Sequence, residues 1–251
     1  GQVHFQIYGD GTPLILCHQS PSSLEMFNSA YPVLASLGIQ SIGIDTPGYG
    51  QSDGPSNQPR ILDYAQCVID VIASTGYDKV SLLGHHTGAC IVAELASIRP
   101  DLINKIILNG PPVLTQDEKQ TMLQMIENAP SVALKKDGSH LLKLWNKRIE
   151  FTPGWTNLDA MQNGIIQMLR ADENDIYGFK AAFNQDLESV LLQIENPTMI
   201  LTNTGDDIYF AALRARELRP DFIFKELQNG THDIVDEQPQ EWSKCIAEFL
   251  K

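Results

Sequence analysis

The stretch from Lys79 to Pro100, KVSLLGHHTGACIVAELASIRP, decides the fold. It opens with a short apolar run, reverses through Gly84-His85-His86-Thr87-Gly88, and continues with helical spacing to Pro100. An unbroken apolar strand suits a sheet position buried on both faces. The flanking glycines suit a reversal too tight for a Cβ. Two imidazoles at the tip of such a turn single it out as a candidate site.

The same rhythm extends in both directions. Strands are expected at VHFQIYG (3–9), TPLILCH (12–18), IQSIGID (39–45), YDKVSLLG (77–84) and INKIILNGPP (103–112), with Gly9-Asp10-Gly11 read as a hairpin turn. Helices are expected at 24–38, 60–76 and 88–100, and a Gly- and Pro-rich loop at 46–59. Alternating strands and helices imply an α/β fold with a mostly parallel central sheet flanked by helices. Between Val113 and Glu195 the strand signal disappears. Helical patterns replace it at 116–130, 140–151, 157–171 and 176–195. The strands TMILTNTGDD and FIFKELQNGTHD and the helices at 209–220 and 238–251 then resume the rhythm. The chain is therefore divided into a core of 1–112 and 196–251 and a helical insert of 113–195. An insert at this point covers the carboxyl ends of the strands, where open α/β sheets bind ligands. Its aromatics Trp145, Phe151, Trp155, Tyr177 and Phe183 either line an apolar pocket or pack the insert's own core.

Composition narrows the function classes. A net charge of −13 over 251 residues repels phosphate backbones and anionic lipid, so neither nucleic acid nor a membrane surface is an expected partner. It also favours a neutral or cationic substrate over a polyanion. No apolar run is long enough to span a bilayer, and the start GQVHFQIYGDG lacks the basic-then-apolar pattern of a signal peptide. Cys17, Cys67, Cys90 and Cys245 are widely spaced with no C-x-x-C pair, as expected for buried thiols in a reducing, cytoplasmic compartment.

Three chemical positions fall at strand ends: the Gly84–Gly88 turn, the Asp206-Asp207 pair, and His232 in NGTHD. Their order is turn, acid, histidine. In this order, and over nearly its whole length, the chain resembles the capped members of the α/β-hydrolase superfamily, whose nucleophile elbow reads G-x-S-x-G. LILCHQSPSSLEMF is similar to the family's oxyanion-loop stretch. GIDTPGYGQSD resembles the loop after the next strand, LLGHHTGACIVAELA the elbow and its helix, PTMILTNTGDD the acid strand, and GTHDIVDEQPQEWSKCIAEFL the histidine loop and closing helix.

The resemblance implies a helical cap at 113–195, inserted before the acid strand. It implies catalytic roles for His86 at the nucleophile position, for Asp206 (with Asp207 as its neighbour) and for His232, paired with Asp206. The oxyanion hole would be formed by the backbone N–H groups of Ser20 and Thr87. Gln19, His85, Trp145, Trp155 and Tyr177 are candidate pocket residues. Two positions depart from the family pattern: His86 replaces the serine, and Gln19 the glycine after the motif's histidine. The elbow histidine acts either as a nucleophile on a carbonyl carbon, or as a binding group or acid beside an Asp206–His232 base. A metal held by His85, His86 and His232 is disfavoured, because neighbouring residues on a turn point apart. No cofactor is implied. The expected activity is hydrolysis of an ester, lactone or C–C bond in a small, partly apolar carbonyl compound. Rival readings are a lyase, decarboxylase or isomerase on the same scaffold, or a silent small-molecule-binding protein. Oligomeric state is not legible.

Overall fold

The computed structural model describes residues 1–127, 134–152, 154–171 and 174–251. Seven strands form one sheet: β1 (Phe5–Tyr8), β2 (Thr12–Cys17), β3 (Ile39–Ile44), β4 (Val80–His85), β5 (Ile103–Asn109), β6 (Thr198–Asn203) and β7 (Ile223–Leu227). Their order is β1-β3-β2-β4-β5-β6-β7, and all neighbours are parallel except β1 with β3. All seven expected strands form.

One local expectation is corrected. Gly9-Asp10-Gly11 does not join a hairpin, because β3 lies between β1 and β2, with Ile42 level with both Ile7 and Ile15. β3 is buried at five of its six positions. A strand with both faces buried has no solvent for its ladder groups, so it needs a strand on either side.

The period of two along each strand divides the core. Ile15, Cys17, Leu82, Ile106, Leu108 and Ile200 face one layer with α2 (Ile61–Thr75), α3 (Thr87–Ile98) and further helices given below. Leu14, Leu16, Leu83, Ile107, Met199 and Leu201 face the other, with α1 (Tyr31–Ser36), α10 (Ile234–Glu237) and α11 (Pro239–Leu250). Trp242 of α11 is fully buried, and its Nε1–H donates to Asn109 Oδ1 at 2.6 Å at the end of β5.

Between β5 and β6 the described residues form five helices: α4 (Gln116–Glu127), α5 (Ser139–Phe151), α6 (Leu158–Ala171), α7 (Tyr177–Phe183) and α8 (Leu187–Leu192). The expected helix at 116–130 is seen to Glu127, and its last three residues lie outside the described set. The single helix expected at 176–195 is two, parted at Asn184–Asp186, where the Asp186 side chain caps α8 by accepting the Ser189 N–H. The expected helix at 24–38 likewise divides into a 3-10 turn (Leu24–Phe27) and α1. Ala181, Ala182, Leu187 and Leu191 carry the end of this insert into the first core layer, beside α9 (Tyr209–Leu218).

Candidate active site

The site begins at the junction of β4 and α3. Every residue of β4 is buried, so the chain must reverse inside the protein. A Cβ on Gly84 would stand 2.0 Å from the Gly88 carbonyl oxygen, and one on Gly88 would stand 2.1 Å from that of Cys17. Only glycine fits either place. His86 between them has φ 48° and ψ −107°, a conformation that costs an ordinary residue about 1–3 kcal/mol. Flanking bonds hold it there: its N–H donates to Asn109 O at 2.9 Å, and its carbonyl accepts the Ala89 N–H at 2.8 Å.

The second component is Asp206, just beyond β6. Its Oδ1 accepts the Ile208 N–H at 3.0 Å and its Oδ2 accepts Nε2–H of His86 at 2.9 Å. Gly110, at φ +58°, makes this contact possible: a Cβ there would stand 2.5 Å from His86 Cδ2 and 2.9 Å from Asp206 Oδ2. Burial alone would lower the His86 pKa, but the charge and hydrogen bond of Asp206 outweigh it and hold the imidazole above its ordinary value. Burial likewise opposes ionisation of Asp206, yet His86 and the Ile208 N–H hold its carboxyl below the usual carboxylate range.

This pairing corrects the expected Asp206–His232 couple. His232 follows β7, in a loop whose carbonyls at Asn229 and Thr231 accept from Asn203 Nδ2 at 3.1 Å each. Its Nε2 accepts from Arg148 Nη1 of α5 at 2.5 Å and lies 3.3 Å from Asp233 Oδ2. Arg148 Nη2 donates to the same Asp233 oxygen at 2.5 Å. An arginine donor on Nε2 requires the neutral imidazole with its proton on Nδ1. Burial lowers the His232 pKa; Asp233 opposes and Arg148 reinforces the shift. The acid pairs with the elbow residue because the His86 ring reaches it past Gly110.

His85 is also placed differently from expectation. It is fully buried and off the cavity wall, with Nε2–H donating to the His232 carbonyl at 3.0 Å and its ring 4.4 Å from that of His86. Burial, and after it the neighbouring His86, push its pKa well down, so it stays neutral. It tethers the histidine loop to the elbow strand. His85 therefore does not converge with His86 and His232 on a common point.

A cavity of about 660 Å³ opens over the elbow between the strand ends and α4–α7. Its size suits a drug-sized ligand. His86, His232, Ser20, Thr87 and Gln19 all line it. Thr87 opens α3, whose first-turn N–H groups have no acceptor within the helix. The loop carrying Ser20 is held by His18, which is buried, with Nδ1–H donating to Gln19 O at 2.7 Å and Nε2 accepting the Thr46 N–H at 3.1 Å. From α6, Gln167 Oε1 accepts Ser22 Oγ–H at 2.5 Å and Ser23 N–H at 3.0 Å.

Trp145, Trp155 and Tyr177 are not on the cavity wall. Trp155 instead lies under the Arg148 guanidinium at 5.7 Å and borders a separate small cleft with Asn229 and Glu237. Phe183 does line the cavity, joined by Phe179, Met122 and Met125, while the Phe151 side chain lies outside the described residues. Helical spacing marks these residues as apolar without telling which face meets the strand ends. Arg148 and Gln167 were missed altogether, since a polar residue on an amphipathic helix has no separate signature when it turns inward.

Among the described residues, His86, Asp206 and Asp207 offer metal-type ligand atoms within 4.8 Å of one another. The His86–Asp206 hydrogen bond already joins two of these groups. All four cysteines are free: Cys17 and Cys90 are buried, and Cys67 and Cys245 partly so. No described helix is long and apolar enough to cross a membrane.

Comparison with known proteins agrees with this architecture. Residues 12–239 match the model of the alpha/beta hydrolase fold, and the chain belongs to that family. It is 26% identical over 218 residues to the (E)-2-((N-methylformamido)methylene)succinate hydrolase of Acinetobacter baylyi, covering 81% of this chain and 76% of that protein. The esterase EaEST from Exiguobacterium antarcticum superposes with a TM-score of 0.82 at 20% identity, covering 99% of this chain and 95% of that one. An E-2-(acetamidomethylene)succinate hydrolase superposes with a TM-score of 0.79 at 20% identity, covering 99% and 94%. At these identities the structural likeness speaks for the fold.

Proposed function

We propose that this chain is a cofactor-independent hydrolase of an ester, lactone or C–C bond in a small, partly apolar carbonyl compound, with the His86–Asp206 pair as its base. The carrying observation is the 2.9 Å bond from His86 Nε2 to Asp206 Oδ2. It commits the ring proton to Nε2, so the lone pair of the neutral ring stands on Nδ1, and His86 shares the cavity wall with Ser20 and Thr87. An Asp-oriented imidazole is the arrangement that activates water in acyl transfer.

Nδ1 takes a proton from water, and the hydroxide adds to the substrate carbonyl carbon. The two backbone N–H groups receive the developing oxyanion. As the tetrahedral intermediate collapses, the leaving group departs with the proton held by His86. Direct attack by Nδ1 is less well supported. The acyl-imidazole would need a second base to clear it, and His232 can serve only once Arg148 leaves its Nε2. The hydrolases and the esterase named above support the reaction class. The 113–195 insert serves as the cap over this chemistry.

The imidazole in place of a hydroxyl or thiol at the nucleophile position, His86, favours one second reading, proton abstraction from a substrate carbon by the same His86–Asp206 base. Turnover of p-nitrophenyl esters of graded chain length separates the two. Hydrolysis by the wild type, lost in His86→Ala, with stoichiometric release and no initial burst, is the expected result. A burst equal to the enzyme concentration would instead establish the covalent route. No turnover by the wild type, with hydrolysis emerging in His86→Ser, would point to the non-hydrolytic reading.

A further inference from the structure

Arg148 is used oddly for a guanidinium. Such a group is matched to carboxylates, with its N–H groups directed at charged oxygens. Here Nη2 meets Asp233, but Nη1 is spent on a neutral imidazole nitrogen and Nε is buried with no hydrogen-bond partner. The group faces the cavity and rests on Trp155. Its contact with His232 occupies Nε2 of the residue that corresponds to the family's catalytic histidine.

We propose that Arg148 is the specificity-determining residue for a substrate that bears a carboxylate, and that engaging this carboxylate releases Nε2 of His232 into the cavity. An ionised carboxylate is a stronger acceptor than an imidazole nitrogen, so it outcompetes His232 for Nη1. Asp233 and Trp155 can keep their contacts, so the change is a small turn of the guanidinium. Lys147, next to Arg148 in the chain, adds a second positive charge to the wall, and Glu25, Asp159, Asp175, Asp207 and Asp236 repel an anion elsewhere. The carboxylate is thereby directed to the Arg148 end, and the substrate is oriented before reaction. The use of the released imidazole rests on the hydrolase reading; the binding does not.

The test uses succinate and its neutral counterpart succinamide as probes of the wild-type protein. The readouts are thermal stability and the ring-nitrogen NMR resonances of His232. Succinate is expected to stabilise the protein and shift His232 Nε2, succinamide to do neither, and Arg148→Met and Arg148→Lys to lose or weaken the response. For turnover, the kcat/KM ratio of monomethyl to dimethyl succinate is expected to fall roughly tenfold or more in Arg148→Met. If succinate leaves wild-type His232 unmoved, or if Arg148→Met slows both esters equally, Arg148 is only a structural tie and the proposal is overturned. Succinate binding that moves His232 without turnover of either ester would refute the hydrolase reading and leave this one standing.

Discussion

Asp206→Asn tests the site at its most informative bond. Oδ1 of Asp206 accepts the Ile208 N–H, so it must remain an acceptor. The asparagine oxygen therefore takes the Oδ1 place, and its NH2 takes the Oδ2 place against His86 Nε2. Two donors cannot face each other, so the ring proton moves to Nδ1 and the lone pair leaves the cavity. A wrong tautomer in an Asp–His couple costs about 10³–10⁴-fold in kcat, or about 4–5.5 kcal/mol of transition-state stabilisation.

The pH dependence must change with it. Only neutral His86 accepts a proton, and Asp206 holds its protonation point above the ordinary 6.5, so wild-type activity rises as pH climbs through that raised value. Without the Asp206 charge, burial is opposed by Asp207 and Asp233 alone, and the residual activity of the variant rises at lower pH. Stability gives an independent sign check. His86, with a raised folded pKa, contributes stability below pH 6.5 that is lost as pH rises through its folded value. Asp206, with a depressed one, contributes above 3.8 and loses it as pH falls. The variant should be most destabilised, relative to wild type, between these two values. The assays are kcat/KM against pH on an activated ester and urea unfolding across the same range. A folded Asp206→Asn enzyme within about tenfold of wild type, with an unshifted acid limb, would refute the base assignment.

Three further outcomes follow. Asp236 is half-buried on the cavity wall beside Ser29, and burial raises its carboxyl to about 6 from 3.8. Wild-type stability should therefore fall as pH rises from 4 to 6, and Asp236→Asn should be the more stable form above pH 6, by about 1–3 kcal/mol, with no difference near pH 3.5; urea titrations at the two extremes check this. Gly110→Ala should cut activity far more than stability, because the added methyl meets the His86–Asp206 contact; equal losses in kcat/KM and unfolding free energy would count against it. His85→Phe should loosen the His232 loop, removing the 3.0 Å bond to its carbonyl at a cost of about 1–3 kcal/mol, measured by thermal unfolding.

Much of the fold was legible because it is written in local periodicity. Unbroken apolar runs such as LILC of β2 and VSLLGH of β4 can only be satisfied between two helical layers, and Gly84 and Gly88 of the turn tolerate no side chain. The positions of His86, Asp206 and His232 at strand ends follow from that framework. Strand partnering was not legible: β1 and β2 are joined by a glycine turn, yet β3 separates them, because burial of β3 on both faces is a property of the whole sheet.

The sequence by itself determined the α/β class, the helical insert and the chemical groups gathered at the strand ends. Only the tertiary structure decided how those groups pair. Whether Asp206 meets His86 or His232 depends on a difference of a few ångströms, set by the open space at Gly110 and by an arginine reaching in from a helix some 60 residues beyond the elbow. Hydrogen bonds depend on distance and angle across the fold, and no local pattern in the chain records them.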